Sequence, residues 1–387
     1  MLSWDVVAYS LVFIRPLLGS QLVSFNLCLE LDPDGHRELT SFLKNLPLHC
    51  PGLMSVRFDI FLYGHGHDAE SISPVLSQTV CSFEKLARLD IRASVDGIAL
   101  RHLVVSPQFT DLVLTIRQSQ LEDLSLLPSD TPFSGIKDLN LSGLDLGSIA
   151  GLLRSESQMF SSVEFCLDMD TPPTSQLTLS FLTLLASPPR RSSLESITLT
   201  RKDLTATHPE LEDIPYSLSH DTLRPIAFFH NLRELKIDLM NPISLNDEEL
   251  VDLARGWPLL RFFRLVSANG LSTKYVTLRG LLLLAAACPK VDFLELCLDA
   301  REVPTSGVGM DIRSVTLRHL RCPRSPINDP RLVGMFLSKL FPSIYWVMGQ
   351  GMYRKKWHQV CDYLQKKGTS DVTSLDPLVS DWMEYIV

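Results

Sequence analysis

The sequence predicts an α/β fold, a solenoid with a curved, mostly parallel sheet and helices on its convex side. Three observations predict it: a short apolar motif that recurs along the chain, polar residues that alternate with the apolar positions of that motif, and helical segments that precede many of its copies. A single unit of this kind cannot bury its apolar face alone, so neighbouring units must stack to form the core.

The recurring motif is L-x-x-L-x-L, in which any large apolar residue fills the three fixed places. Most copies start roughly 24 to 34 residues apart, a period typical of a leucine-rich-repeat solenoid whose units include a helix. Phe109 and Leu121 are too close for a full repeat, and we expect one of them to be a turn or a local hairpin. Eight clear copies begin at Leu86, Leu121, Ile136, Leu194, Leu232, Leu260, Val291 and Ile312, and four looser copies begin at Leu22, Leu53, Phe109 and Phe160.

The residues between the fixed apolar places are mostly polar, which assigns the two faces of each strand. Side chains alternate across a strand, so the fixed places point towards the core and the residues between them point outwards. Three copies also continue identically in type, at residues 27–30, 165–168 and 296–299, which indicates true self-similarity. A strand with one dry and one wet face suits the exposed sheet of a solenoid.

Helical segments and breaks set the expected organisation. Helices are predicted over 39–46, 250–257 and 278–287, and a proline closes many of them before the next strand. The predicted division of the chain is a capping segment at 1–21, degenerate repeats at 22–350 with a loop insertion at 200–225, and a C-terminal capping helix and tail at 351–387. A further loop is expected at 61–73, the capping helix at 353–364 and a tail that packs back at 382–387.

Composition and charge exclude several classes of protein. The net charge of −8 argues against a nucleic-acid partner, because phosphate contacts need clustered Lys and Arg, and it argues weakly against an anionic membrane surface. The longest apolar run, 281–288, is too short to span a membrane. Asp5 interrupts the apolar N-terminus, so we expect no secretory signal. The eight cysteines occur singly, as expected for free thiols in the cytoplasm or nucleus.

The sequence contains no strong catalytic, cofactor-binding or metal-binding motif. His65, His67 and Asp68 have the right chemistry for a metal, but their glycine-rich surroundings favour a solvated loop. The basic run 354–356 beside Trp357 favours the solvated face of a helix whose tryptophan is buried. We therefore expect a protein that is not an enzyme and has no cofactor.

The chain resembles the leucine-rich-repeat portion of the fungal F-box protein family over roughly residues 10 to 365. The resemblance lies in the degenerate repeats, in the helix–Cys-Pro–strand units at Cys50-Pro51 and Cys288-Pro289, and in the segment from Phe341-Pro342 to 357–360. It implies a substrate-recognition role in a cullin-type ubiquitin ligase, in which an F-box engages the ligase adaptor and the repeats hold the target.

Two departures from that family leave alternatives open. The F-box itself is not found in this sequence, so the chain is expected to be either a truncated product or a paralogue that no longer contacts the adaptor. The usual asparagine of each repeat is also missing, with Glu30, Ser94, Asp168 and Asp299 among its replacements. The alternatives to a ligase receptor are a structural or interaction protein without the ligase and an enzyme whose site is not visible in the sequence.

A candidate binding surface follows from the outward positions. Two residues after the motif start, ten of the twelve copies carry a polar residue, and the exceptions are Phe262 and Phe293 in consecutive copies. Neighbouring strands lie about 4.8 Å apart, so the two rings should touch. Lys236, Arg264 and Glu295 flank them, and aromatic residues ringed by charge are typical of a protein-binding hot spot. The alternative is that the C-terminal cap or a loop covers both rings.

Overall fold

The described part of the chain forms one long parallel sheet. The structure is a computed structural model and describes residues 2–8, 11, 14–31, 36–62, 68–117, 120, 133–153, 158–169, 171–202, 216–267, 274–304 and 316–368. Within these residues the main sheet has thirteen strands, and its strand order follows the order of the chain. Its strands are Leu2–Ala8 (β1), Leu22–Leu31 (β2), Ser55–Leu62 (β3), Arg88–Ser94 (β4), Asp111–Thr115 (β5), Asp138–Leu144 (β6), Ser162–Leu167 (β7), Ser196–Arg201 (β8), Glu234–Asp238 (β10), Phe262–Leu265 (β12), Phe293–Leu296 (β14), His319–Cys322 (β16) and Trp346–Gly349 (β17).

Helices connect most of these strands, so a typical repeat is a strand followed by a crossover helix. Two pairs of short strands add small parallel sheets beside the main one, Leu218–Ser219 (β9) with Ile243–Ser244 (β11) and Val276–Thr277 (β13) with Leu298–Asp299 (β15). The helices are His36–His49 (α1), Asp68–Cys81 (α2), Gly97–Val105 (α3), Leu146–Leu152 (α4), Ser175–Leu185 (α5), Pro188–Ser193 (α6), His220–Leu223 (α7), Asp247–Ala254 (α8), Leu278–Ala287 (α9), Pro330–Leu340 (α10) and Arg354–Gly368 (α11). The predicted fold, a parallel leucine-rich-repeat solenoid, is confirmed.

A repeated backbone hydrogen-bond pattern sets the register between the later repeats. The carbonyl oxygen of Glu195 accepts from the amides of Arg233 and Glu234 at 2.7 and 3.0 Å. The carbonyl of Arg233 accepts in the same way from Arg261 and Phe262 at 2.8 and 3.0 Å. Because each strand is entered through the same paired contact, equivalent motif positions lie side by side across the sheet.

The core lies between the sheet and the helices. The fixed apolar positions Leu235, Phe263, Leu294 and Leu320 are buried, and the residues between them are more accessible or paired with each other. The buried indole of Trp257 is hydrogen-bonded: its Nε1 donates to the carbonyl of Ile226 at 2.7 Å. Such bonds offset the cost of removing a polar group from water.

Side-chain caps define where the crossover helices begin. Asn246 accepts from the amide of Glu249 at 2.9 Å, and the Glu249 carboxylate accepts from the amide of Asn246 at 2.9 Å, which together form a capping box for α8. Short polar residues are suited to this position because they satisfy amides that have no partner within the helix. Other described helices begin with a side-chain N-cap but without the reciprocal bond of a capping box, and their N-cap residues are Asp96, Asp145, Thr174, Ser219, Thr277 and Asp329.

The motif start at Ile312 is in the wrong register. The strand that follows β14 is β16, and its own motif starts at Leu317, while residues 312–315 lie outside the described residues. A further copy at Ile344 leads into β17 and was not predicted. The copy at Phe109 leads into β5, and residues 121–126 lie outside the described residues.

The predicted loops are shorter than expected where the structure describes them. Residues 200–201 belong to β8, and residues 216–225 include β9 and α7, so regular structure occupies both ends of the predicted insertion. The predicted loop at 61–73 contains the end of β3 and the start of α2, including Asp68. His65 and His67, residues 203–215 and the predicted tail at 382–387 lie outside the described residues.

The two ends of the array are closed differently. The predicted capping segment at 1–21 contributes β1, which pairs with β2 as a further parallel strand. At the other end, where a capping helix was predicted, lies α11, in which Trp357 and Val360 are fully buried and Cys361 and Leu364 nearly so. Trp357 Nε1 donates to the carbonyl of Ser325 at 2.8 Å, which fixes α11 against the preceding repeat.

Replacing Gly349 with Ala should loosen this closure. A Cβ atom at Gly349 would lie 2.6 Å from Cβ of Trp357, and neither the strand nor the buried indole has room to move. We expect a loss of about 2 kcal/mol in the free energy of unfolding, measured by urea denaturation. Gly151→Ala is the matched control, since nothing lies within 4 Å of its added Cβ; equal stability of the two variants would contradict the packing described here.

Candidate protein-binding face

The open face is the set of outward-pointing side chains on the last five strands of the main sheet, β10, β12, β14, β16 and β17. The parallel register aligns Phe262, Phe293, His319 and Trp346 side by side, and we call these residues the aromatic row. Two residues further along each strand, the register aligns a second set, the charged row: Lys236, Arg264, Glu295 and Arg321.

The aromatic row is continuous across four strands. The rings of Phe262 and Phe293 stack with their centroids 4.2 Å apart and an angle of 5° between their planes. The ring centroid of His319 lies 6.1 Å from that of Phe293 and 6.0 Å from that of Trp346. The Nε2 atom of His319 is 2.7 Å from the hydroxyl oxygen of Tyr345. The predicted contact between the two phenylalanines is therefore present, and both rings are half-buried rather than fully covered.

The arginines and the glutamate of the charged row form ion pairs with one another and with Asp238, and the carboxylates lie beneath the guanidinium groups. Arg264 Nη2 is 2.6 Å from Oδ2 of Asp238, and Arg264 Nε is 3.6 Å from Oε2 of Glu295. The same Glu295 oxygen is 3.5 Å from Nη1 of Arg321. Glu295 is only 3% exposed and Asp238 only 5%. Burial raises the pKa of Asp238, and the guanidinium of Arg264 opposes that effect.

Glu295 was predicted to bind a partner, and the structure contradicts this prediction because the side chain is buried. Its position in the strand gives it outward parity, but the flanking arginines cover it, so its carboxylate is not accessible to a partner. Its role in the structure is to hold Arg264 and Arg321 in place. The predicted residues Phe262, Phe293, Lys236 and Arg264 keep partial exposure.

Cations lie over both ends of the aromatic row. The ammonium of Lys236 is 4.7 Å from the centroid of the Phe262 ring and 2.6 Å from Oε1 of Glu234. The guanidinium of Arg321 is 5.5 Å from the Trp346 ring. Such contacts are favourable because the face of an aromatic ring is electronegative. The open face thus presents rings and positive charges together.

Sequence reasoning missed His319, Tyr345, Trp346, Arg321 and Asp238. His319, Arg321 and Trp346 belong to strands whose motifs were placed wrongly or not seen, and Tyr345 immediately precedes one of these strands. Reading Leu317 and Ile344 as motif starts would have placed His319 and Trp346 at the same outward position as the two phenylalanines. Burial lowers the pKa of His319, so its ring is neutral near pH 7 and behaves as an aromatic member of the row.

An acidic pair occupies the outward side of β5 and β6. Arg88 Nε is 3.2 Å from Oδ2 of Asp111, and the pKa of Asp138 is raised to about 6 by burial, with further contributions from its hydrogen bond to Asp111 and from the negative charge there. Perturbed carboxylates occur in active sites and in structural ion clusters alike. Among the described residues, no three His, Cys, Asp or Glu side chains are grouped so that they could hold a metal ion.

The eight cysteines are all free thiols, as predicted. Burial raises the pKa of Cys288 to about 12 and that of Cys322 well above its usual range, so both thiols are protonated at neutral pH. None of the described helices is both long and apolar enough to cross a membrane.

Comparison with known proteins gives no family for this chain. No family model matches it, and no curated protein matches it. Among solved structures it is similar to one from yeast, the complex of Rad7 and Elc1, with 14% sequence identity and a TM-score of 0.44. That similarity covers 88% of this chain and 79% of the yeast chain. The functional argument therefore depends on the residues of the open face.

Glu295→Ala should destabilise the protein, because it leaves the partly buried Arg264 and Arg321 without their shared carboxylate. We expect a loss of about 3 kcal/mol in the free energy of unfolding, measured by chemical denaturation. Glu248→Ala is the control: Glu248 is paired with Arg279 at 3.2 Å but its side chain is 65% exposed, so its loss should change stability by less than about 1 kcal/mol. A small effect of both substitutions would show that the ion pairs of Glu295 are screened by water, and it would contradict this prediction.

Asp138→Asn should stabilise the protein above pH 6 and have little effect below pH 4. The folded-state pKa of about 6 exceeds the ordinary value of 3.8 for an aspartate, so the folded state binds the proton more tightly than the unfolded state. The contribution of Asp138 to stability is therefore full at low pH and is lost as the pH rises through 6. Melting temperatures of both proteins between pH 4 and pH 8 test this, and a pH-independent difference would contradict it.

Proposed function

We propose that the protein is a non-enzymatic solenoid that binds another protein through the open face of its last repeats. The observation that carries this proposal is the aromatic row, in which the Phe262 and Phe293 rings stack on the outward side of the sheet. Aromatic and arginine side chains are enriched where protein partners bind, and they carry most of the binding energy there. The extended face of a repeat protein is also the surface such proteins use for recognition.

The test is a double substitution, Phe262→Ser with Phe293→Ser, in the full chain. It should abolish capture of the partner, at a cost of about 2 kcal/mol or more, because it removes the rings that the partner would bury. The melting temperature should change little, since both rings are half-buried and outside the core. Quantitative affinity purification with mass spectrometry measures the first effect and thermal unfolding the second.

Phe228→Ser is the matched control for this experiment. Phe228 is 44% exposed, lies in the 3-10 turn Arg224–Phe228 rather than on the open face, and has the guanidinium of Arg191 over its ring at 5.6 Å. Proteins captured by the wild type and by Phe228→Ser, but lost with the double variant, support the proposal. A large drop in the melting temperature of the double variant would show that the rings belong to the core and would contradict it.

A finer role follows from the resemblance to the fungal F-box family: substrate recognition in a cullin-type ubiquitin ligase. This role requires contact with a ligase adaptor, whereas a paralogue without an F-box would bind its partner and leave the ligase alone. Co-purification of an adaptor and a cullin with the full chain separates the two. Their absence from a preparation that does retain an open-face partner would favour the structural or interaction protein.

A further inference from the structure

We propose that the open face binds an extended acidic peptide segment of the partner that carries an aromatic side chain. This inference rests on the proposed function and specifies the chemistry of its partner. It is argued from three features: which charges of the open face are accessible, how long the aromatic row is, and how the rest of the molecule is charged.

The exposed cations of the open face that have no exposed acid beside them are arginines. Arg264 is 28% exposed above Asp238 and Glu295, whose side chains are only 7% and 4% exposed. Lys236 is 25% exposed but is paired at 2.6 Å with Glu234, which is 32% exposed. Arg324, in the turn after β16, is also exposed. The chain as a whole carries a net charge of −8, so this positive surface is local. A partner segment with Asp or Glu complements it.

The buried acids also make the arginines ready to bind. A guanidinium that is already held in one orientation loses little conformational freedom when a carboxylate approaches it, so less binding energy is spent on ordering it. Asp238 and Glu295 hold Arg264 from both sides at 2.6 and 3.6 Å. The Nε atoms of Arg264 and Arg321 are buried, and neither donates a hydrogen bond.

The length of the aromatic row suits a short extended segment. Four neighbouring strands span about 14 Å, at roughly 4.8 Å between strands. An extended peptide advances about 3.3 Å per residue, so four or five residues would cross the row. An aromatic side chain of that segment can stack on the row, and its acidic neighbours then lie above the charged row, two residues further along each strand.

Aromatic rings beside cations also suit a single-stranded nucleic acid, so the charge of the rest of the molecule decides between the two. The outward positions of the earlier strands carry exposed arginines such as Arg88 as well as the acids Asp111 and Asp138, so these strands favour neither partner. The net charge of −8 opposes a phosphate backbone that continues past the open face, whereas a short peptide segment ends there. The peptide is therefore the better match.

The experiment selects peptides from a random phage-displayed library on the full-length protein, with counter-selection on the Phe262→Ser/Phe293→Ser variant. We expect the enriched peptides to carry a net negative charge and at least one aromatic residue. The most enriched peptide, synthesised with a fluorophore, should bind less tightly as salt is raised. Binding should weaken about fivefold in Arg324→Gln, which leaves the charged row intact, and should be unchanged in the control Lys290→Gln, an exposed cation in the turn after α9.

The possible failures can be told apart. Peptides that depend on the two rings but are neutral or basic would overturn this inference and leave the proposed function standing. Peptides that bind the ring variant equally well would overturn both. No enrichment at all, or tighter binding of a ten-nucleotide oligouridine than of the best peptide, would overturn the peptide assignment.

Two further occupants of the open face are covered by the same assay. Tighter peptide binding after neutralising Asp371, Asp376, Asp381 and Glu384 in the full chain would show that its own C-terminal segment competes for the face. A wild-type dimer that the ring substitutions dissociate would show that a second copy occupies it. Either result would overturn the assignment to a partner's segment.

Discussion

The parallel hydrogen-bond ladder between neighbouring repeats is the constraint on which the rest of this structure depends. Because a carbonyl such as that of Glu195 accepts from two successive amides of the next repeat, each strand enters the sheet at the same motif position. Equivalent residues of successive repeats are then aligned at the spacing of the strands. When consecutive repeats carry similar residues at the same motif position, those side chains lie next to one another in the sheet. They then form a continuous surface patch that runs across the strands.

The same alignment explains how opposite charges come to be layered on the open face. Lys236, Arg264, Glu295 and Arg321 occupy one row because they are equivalent residues of four repeats. Long arginine side chains reach sideways over the shorter glutamate between them, and the carboxylate is buried although its backbone position points outwards. Removing two charges from water is costly, and their pairing offsets that cost. The layering thus follows from side-chain length as well as from sequence position.

Much of the fold was predictable, because apolar periodicity alone marks a buried strand. The contact between Phe262 and Phe293 was predictable too, since parallel register follows from motif position. The motifs at Leu317 and Ile344 were missed because Cys322 and Gly349 stand where a large aliphatic residue is usual, and Gly349 is small because Trp357 fills that space. The burial of Glu295 depends on neighbours in two other repeats. No pattern within one repeat reveals it.

The place of the aromatic row at the C-terminal end of the array couples it to the cap. In a solenoid each repeat contacts only its neighbours, so the last strand depends on the element that closes the array. Strand β17 pairs with β16 on one side and packs against α11, whose Trp357 is fixed by its bond to Ser325. Trp346 belongs to that strand, and His319 to the strand beside it. Helix α11 covers the end of the core and also holds β17, and with it half of the aromatic row, in register. The helix thus supports the proposed binding face without being part of it.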